Sequence, residues 1–129
     1  MAVIIIQEND CAVLDVLKQA FMLEDHHPIP ILGSCTEELS KLIRRHRPDL
    51  VLIDYRSTSP CGALLLAAIR KISSALPVIA LSCDLNIGKM ASKLGFDGFL
   101  SKPFDLGELY AKVDSFLNGE PNLKVNLAE

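Results

Sequence analysis

The sequence predicts an α/β sandwich in which one parallel sheet carries helices on both faces. Short apolar runs rich in β-branched residues alternate with longer segments of helical periodicity, and five such pairs follow one another along the chain. The 129 residues, half of them hydrophobic, suit one domain with a substantial core. We therefore expect one domain over residues 1–119 and a short C-terminal tail over residues 120–129.

The first strand is predicted at residues 3–6, a continuously apolar run that opens into a polar loop. Asn9 or Asp10 is suited to cap the helix that follows, and the His-His-Pro run at 26–28 is expected to end it. The apolar face of this helix consists of Val13, Leu14, Leu17 and Phe21.

The second strand is predicted at residues 29–32 and at an edge of the sheet. Pro28 and Pro30 lack the amide hydrogens that a central strand must donate on both sides. Ser34, followed three residues later by Glu37, forms a capping-box pattern that predicts the start of the second helix. The apolar stripe of that helix consists of Leu39, Leu42 and Ile43.

The third and fourth strands are predicted at residues 50–53 and 78–81, where the chain is again continuously apolar. The third strand ends on Asp54 and the fourth ends on Ser82. A polar loop at 56–62 separates the third strand from its helix. That helix is indicated by the spacing of Leu65, Leu66, Ile69 and Ile72.

The fourth helix is predicted at residues 86–94, although Gly88 lowers its helix propensity. Gly95 provides a residue that ends helices readily. A short last strand at 99–101 then leads directly into Lys102 and a proline.

The last helix is predicted to begin at a capping box in which Asp105 takes the place of serine or threonine and Glu108 lies three residues later. The helix should end near residues 118–119, where an Asn-Gly pair follows. Its apolar face consists of Leu106, Leu109, Tyr110, Val113, Phe116 and Leu117.

Charge and composition exclude several classes of function. A net charge of -3 and a pI near 5.6 leave no chain-wide basic field for nucleic-acid binding. The apolar start is far too short to span a bilayer, so we expect a cytoplasmic protein with no membrane association. The four cysteines are widely spaced and lack a metal-site pattern, and reduced thiols are the expectation.

Chemically active side chains follow four of the predicted strands. Glu8 comes after the first strand, Asp54 after the third, Ser82 after the fourth and Lys102 after the fifth. The carboxyl ends of parallel strands meet at one edge of a sheet, so these residues should converge there. Carboxylates, a hydroxyl and an ammonium suit Mg²⁺ and a transferring phosphoryl group, with Asp54 as the nucleophile.

Three segments resemble the receiver domain of two-component response regulators, over nearly the whole chain to about residue 119. Val-Leu-Ile-Asp at 51–54 is similar to the phosphoacceptor strand, with Gly62 where the family commonly has a loop glycine. Pro-Val-Ile-Ala-Leu-Ser at 77–82 is similar to the strand that ends in the switch hydroxyl. Gly-Phe-Asp-Gly-Phe-Leu-Ser-Lys-Pro-Phe at 95–104 resembles the fifth-strand motif, whose lysine–proline bond is usually cis.

This resemblance implies a flavodoxin-like (βα)5 fold with strand order 2-1-3-4-5. It implies that Asp54 accepts a phosphoryl group from a sensor histidine kinase or a histidine phosphotransfer protein, assisted by Lys102 and Ser82. Mg²⁺ would be held by Glu8, Asp54 and the backbone carbonyl of Arg56. The chain would not be an enzyme, apart from self-catalysed phosphoryl transfer and dephosphorylation.

The resemblance also implies how the signal leaves the domain. Ser82 and Phe99 would be the switch residues that change their packing after phosphorylation. The change would reach the face formed by the fourth helix, the fifth strand and the fifth helix, where a downstream protein target would bind.

The chain departs from the family pattern in two places. The family usually has two adjacent acids after the first strand, and this chain has Gln7 and Glu8, so the affinity for Mg²⁺ should fall. The loop after Asp54 carries Thr58 where the family often has proline. These departures leave open a degenerate receiver that is never phosphorylated and serves as a protein-interaction module.

An unrelated small α/β enzyme is a third and weaker interpretation, because the sequence has neither a glycine-rich phosphate loop nor a G-x-S-x-G elbow. Two residues suggest a further hypothesis within the receiver interpretation. Arg56 lies two positions after Asp54, and Asp84 lies two positions after Ser82. We expect an Arg56–Asp84 ion pair to cover the acceptor and slow its hydrolysis.

Overall fold

The predicted alternation of strands and helices is present in the computed structural model, which describes residues 1–118. The predicted tail at 120–129 lies outside the described residues. The strands are β1 (Val3–Glu8), β2 (His27–Leu32), β3 (Leu50–Asp54), β4 (Val78–Ser82) and β5 (Gly98–Ser101), and the helices are α1 (Cys11–Leu23), α2 (Thr36–His46), α3 (Cys61–Ile72), α4 (Ile87–Leu94) and α5 (Leu106–Leu117).

All five strands are parallel and form one sheet in the order β2-β1-β3-β4-β5, which confirms the predicted flavodoxin-like fold. Neighbouring residues of a strand point to opposite faces, so the sheet has two cores. Ile4 and Leu52 pack with α1 and α5 on one face, whereas Ile5 and Ile53 pack with α2, α3 and α4 on the other. The three inner strands are buried on both faces, as their continuous apolar runs predict.

Strand β2 is an edge strand, as its two prolines predict. The amides of His27 and Gly33 donate hydrogen bonds to β1, at Ala2 O and Glu8 O. Backbone groups of a parallel strand alternate in direction, so the nitrogens of Pro28 and Pro30 face away from the sheet. The two prolines therefore remove no hydrogen bond from the β1–β2 ladder, and the strand begins at His27, two residues before its predicted start.

Two predicted helix starts are confirmed and one is wrong. Asp10 caps α1, and Asp105 forms a capping box with Glu108 at the start of α5. Helix α2 is capped by the thiol of Cys35, which accepts the amide hydrogen of Glu38, and not by Ser34. The hydroxyl of Ser34 points to the loop after β1 instead, where it has a partner described below.

Among residues 1–118, each helix is too short or too polar to cross a lipid bilayer. Helix α4 stops before Gly95, as predicted, because this C-cap residue adopts the left-handed conformation that glycine accommodates readily (φ 104°). All four cysteines are free thiols.

Candidate functional site

The carboxyl ends of β1, β3 and β5 bring Glu8, Asp54 and Lys102 into direct contact. The ammonium of Lys102 lies 2.8 Å from Glu8 Oε2 and 3.1 Å from Asp54 Oδ1. The side chain of Glu8 is fully buried and that of Asp54 is 2% exposed. Buried carboxylates require a partner of opposite charge, and Lys102 is the partner of both.

The second oxygen of Asp54 faces two further donors. Asn9 Nδ2 donates a hydrogen bond to Asp54 Oδ2 over 2.9 Å, and the guanidinium of Arg56 lies 3.5 Å from the same oxygen. The Ser34 hydroxyl donates to Asn9 Oδ1 over 3.2 Å, which turns the amide hydrogens of Asn9 toward the carboxylate. Asp54 is thus surrounded by an ammonium, an amide and a guanidinium.

Asn9 is a site residue that the sequence interpretation missed, since Asn9 was considered only as a helix cap. The position of Asn9 in the sequence could have identified it. A polar residue directly after β1 lies at the same edge of the sheet as Asp54, at the end of β3, and Lys102, directly after β5. The cap of α1 is its neighbour Asp10. Asn9 is therefore free to reach across to β3.

Glu8 is satisfied without any further ligand. Its Oε2 binds Lys102, and its Oε1 accepts the backbone amide hydrogens of Asn9 at 3.1 Å and Asp10 at 3.3 Å. Glu8 also belongs to β1 itself and does not lie in a loop after the strand. The Glu8 side chain, one methylene longer than aspartate, folds back toward the backbone amides of the next two residues.

Gln7 joins the ends of three strands. Its Nε2 donates to Gly33 O over 2.7 Å, directly after β2, and its Oε1 accepts the amide hydrogen of Asp54 over 3.1 Å. Gln7 is fully buried. The Gln7 amide, which replaces the family's usual acid, therefore fixes the backbone of Asp54. This role needs both a hydrogen-bond donor and an acceptor, and an ionised aspartate has no donor.

Replacement of Gln7 by leucine is expected to lower the free energy of unfolding by about 1–3 kcal/mol, because the Asp54 amide and the Gly33 carbonyl lose a buried partner. Urea denaturation followed by circular dichroism measures this change. Gln7→Glu keeps the acceptor for the Asp54 amide but loses the donor to Gly33, and we expect an effect in the same direction. Wild-type stability in Gln7→Leu would show that the bridge is unimportant.

Two opposing influences set the pKa of Lys102. Burial is the largest single one and lowers the pKa, but the hydrogen bonds and charges of Glu8 and Asp54 together outweigh it. The pKa of Lys102 is therefore raised above its ordinary value of 10.5. The folded protein holds this proton more tightly than the unfolded chain does.

Stability that depends on the Lys102 charge should consequently be lost at alkaline pH. It is fully present below the ordinary lysine pKa of 10.5 and decreases as the pH rises through the raised pKa of the folded state. We expect the difference in unfolding free energy between wild type and Lys102→Met to shrink over this range. Reversible urea denaturation at several pH values measures it, and a constant difference would contradict the prediction.

Ser82 is buried at the end of β4, adjacent to this cluster. Its hydroxyl oxygen accepts the amide hydrogen of Asp84 over 3.0 Å, and its carbonyl accepts the amide hydrogen of Lys102 over 2.8 Å. In the register of the sheet, Asp54 lies beside Leu81, one residue before Ser82. Ser82 thus helps to position Lys102, and within residues 1–118 it has no direct hydrogen bond to Asp54.

The side chain of Phe99, in β5, lies between α4 and α5. A Cβ atom at Gly88 of α4 would lie 3.4 Å from Phe99 Cζ, an ordinary van der Waals distance, so the ring packs against this part of α4. The ammonium of Lys112, from α5, lies 5.6 Å from the centre of the ring. Phe99 therefore contacts both helices that border the predicted output face.

The predicted Arg56–Asp84 ion pair is wrong. Among the described residues, Arg56 pairs with Asp54 itself, and the carboxylate of Asp84 accepts the backbone amide hydrogen of Ser57 over 2.7 Å. Arg56 and Asp84 each lie two residues after a strand end, but this equal spacing does not make their side chains point toward each other. Asp84 holds the loop after β3, and the guanidinium of Arg56 reaches Asp54 directly.

The oxygen atoms that were predicted to bind Mg²⁺ do not fit this ion well. Within residues 1–118, no group of three or more acidic, histidine or cysteine side chains is arranged to hold a metal. The two carboxylates, Glu8 and Asp54, have hydrogen-bond or ion-pair partners on all four oxygens, and Lys102 and Arg56 cancel their formal charges. The Arg56 carbonyl already accepts the amide hydrogen of Ser59 at 3.2 Å. Little electrostatic attraction remains for a divalent cation.

Comparison with known proteins identifies the class of this domain. Residues 3–114 match the family model of the response regulator receiver domain. The chain belongs to this family. It is a receiver domain of two-component systems, a kind of domain that interacts with histidine kinases and downstream effectors. The Lys102–Pro103 bond is cis, as in the family motif.

Individual relatives of this receiver domain are longer proteins. It is 34% identical over 79 residues to the transcriptional regulatory protein GlrR of Escherichia coli, covering 60% of this chain and 18% of GlrR. It is 30% identical over 119 residues to the DNA-binding transcriptional regulator NtrC of Azospirillum brasilense, covering 91% of this chain and 24% of NtrC. The chain thus spans about a quarter or less of these two relatives.

A solved structure agrees with the fold over most of both chains. The N-terminal domain of the nisin resistance regulator NsrR, a lantibiotic response regulator, superposes with a TM-score of 0.78 at 30% identity. The match covers 91% of this receiver domain and 98% of the NsrR chain. The shared architecture extends over nearly the whole described part of the chain.

Proposed function

We propose that this receiver domain accepts a phosphoryl group on Asp54 from a phosphohistidine of a sensor histidine kinase or a histidine phosphotransfer protein. The main support is the contact between Lys102 and both Glu8 and Asp54 at the carboxyl edge of the sheet. The ammonium contacts the Asp54 carboxylate and orients it, as a nucleophile requires. It also provides positive charge where the phosphoryl oxygens arrive.

The phosphoryl signal would leave the domain through protein contacts. Ser82 fixes the backbone of Lys102, and Phe99 contacts α4 and α5, so movement at the acceptor has a packed route to the α4-β5-α5 face. A downstream protein target would bind that face. The domain would work in the cytoplasm, with no nucleic-acid or membrane contact and with no enzymatic activity beyond its own phosphorylation and dephosphorylation.

Incubation with a small acyl-phosphate donor, followed by intact-protein mass spectrometry, tests the proposal. We expect the mass of one phosphoryl group to be added to wild type and no addition to Asp54→Asn, which lacks the nucleophile. Asp114→Asn removes an exposed acid on α5 and serves as the matched control. No mass gain in wild type, with or without Mg²⁺, would refute phosphorylation.

A second candidate function is a degenerate receiver that binds partners without phosphorylation. It is favoured by the 2% exposure of the Asp54 side chain and by the partners on all four oxygens of Glu8 and Asp54. The same mass measurement separates the two functions. If wild type gains no mass, and Asp54→Asn binds the natural target as tightly as wild type does, the interaction module is the better description.

A further inference from the structure

We propose that Arg56 and Asn9 take over the charge-neutralising role of a metal ion, so that this receiver is phosphorylated without requiring Mg²⁺. The inference rests on the proposed function, because it concerns how Asp54 accepts the phosphoryl group. It departs from the Mg²⁺ dependence that the family resemblance implies.

The first support is the charge of the site. Two carboxylates, Glu8 and Asp54, face two side chains that are cationic at neutral pH, Lys102 and Arg56. A site with a third carboxylate would carry excess negative charge and attract a divalent cation, whereas this site is already neutral. The neutral Gln7 holds the backbone and contributes no charge to attract one.

The second support is the direction of the donors. Asn9 Nδ2 and the Arg56 guanidinium both approach Oδ2 of Asp54, opposite the oxygen that Lys102 binds. Ser34 fixes the orientation of Asn9. Oδ2 therefore faces the positive charge of Arg56 and the hydrogen-bond donor of Asn9, at the position where a metal ion would otherwise supply positive charge.

The third support is the exposure of Arg56. Its side chain is 56% exposed and its contact with Oδ2 is 3.5 Å, so the guanidinium is held loosely and accessible to an arriving phosphoryl group. A guanidinium binds phosphoryl oxygens through two parallel hydrogen bonds. Arg56 is therefore suited to leave Oδ2 of Asp54 and bind the arriving phosphoryl group.

The chemical step is a transfer between two nucleophiles. Asp54 Oδ2 attacks the phosphorus of a phosphohistidine and an O–P bond forms, while the P–N bond breaks. The electron pair of that bond leaves with the imidazole nitrogen, which takes a proton from solvent. Arg56, Asn9 and Lys102 stabilise the charge on the three remaining phosphoryl oxygens.

Initial rates of phosphorylation by an acyl-phosphate donor, measured in Mg²⁺ and in EDTA, test the proposal. We expect the two wild-type rates to agree within about threefold, because the protein supplies the charge that a metal would supply. Arg56→Ala should reduce the rate in EDTA by about 10²-fold, the usual loss for one electrostatic donor. Arg56→Lys keeps the charge but loses the paired hydrogen bonds and should restore only part of the rate. Arg45→Ala, which removes an exposed arginine on α2, should change nothing.

Arg56→Ala should also convert the site into a metal-dependent one, since removal of the guanidinium leaves the two carboxylates in excess over Lys102. Its phosphorylation should be stimulated by Mg²⁺ by about tenfold or more. Calorimetric titration with Mg²⁺ alone gives a readout that needs no phosphoryl transfer, and Arg56→Ala should bind Mg²⁺ more tightly than wild type.

The outcomes separate this inference from the proposed function. Wild type that is phosphorylated only in Mg²⁺ would overturn the inference and leave the proposed function intact, as would Arg56→Ala with wild-type rates in EDTA. Wild type that is phosphorylated under neither condition would refute the proposed function. In that case, equal Mg²⁺ affinities of wild type and Arg56→Ala would also exclude Arg56 from the role of the metal.

Discussion

Replacement of Lys102 by methionine is expected to lower the free energy of unfolding by about 3–5 kcal/mol, the usual cost of removing one partner from a buried ion pair. The change leaves two carboxylates without their shared cation, and the side chains of Glu8 and Asp54 are 0% and 2% exposed. Methionine fills a similar volume, so the loss of charge is the main effect. Urea denaturation at neutral pH, followed by circular dichroism, measures it.

Two variants control this measurement. Lys41→Met removes an exposed lysine from α2 and should leave stability nearly unchanged. The double variant Lys102→Met/Glu8→Gln should be more stable than Lys102→Met alone, because one of the two unpaired carboxylates is gone. A loss below about 1 kcal/mol in Lys102→Met would mean that the cluster has the weak energetics of a surface ion pair.

Leu52→Ala is expected to destabilise the domain by about 2–5 kcal/mol, through lost burial and the cavity that remains. Leu52 is fully buried in the central strand β3, two residues before Asp54, and packs in the core shared with α1 and α5. The unfolding midpoint in urea should fall accordingly. Because β3 carries Asp54, the proposed acceptor, the rate of phosphorylation by an acyl-phosphate donor should fall as well.

Leu64→Ala is the matched control, since the chemical change is identical and Leu64 is 57% exposed on α3. Its stability should stay within about 0.5 kcal/mol of wild type, as for most surface substitutions. Equal effects of the two variants would contradict the assignment of Leu52 to the core.

The fold was predictable from the sequence because each inner strand is a short, continuously apolar run rich in β-branched residues, a pattern typical of strands buried on both faces. Residues 50–53 and 78–81 are the clearest cases, and both are strands in the structure. Strand ends were less predictable. Gln7 and Glu8 are polar, so they were assigned to a loop, but their buried hydrogen bonds keep them within β1.

The position of the site was predictable, and its internal contacts were only partly so. The rule that parallel strands end at one edge is sufficient to bring Asp54 and Lys102 together. The hydrogen bonds from Gln7 to Gly33 and Asp54 depend on the position of β1 between β2 and β3. No local sequence pattern predicts that arrangement. The direction of the Arg56 side chain likewise follows from the loop conformation and not from its spacing.

The outward-facing prolines of β2 have a consequence for self-association. An exposed sheet edge is a template for a strand of another molecule, and such growth needs free amide hydrogens. Pro28 and Pro30 offer none on the open side of β2, so this edge resists amyloid-like extension. Addition of a strand is therefore favoured at the other edge, beside β5, where the edge strand is only four residues long.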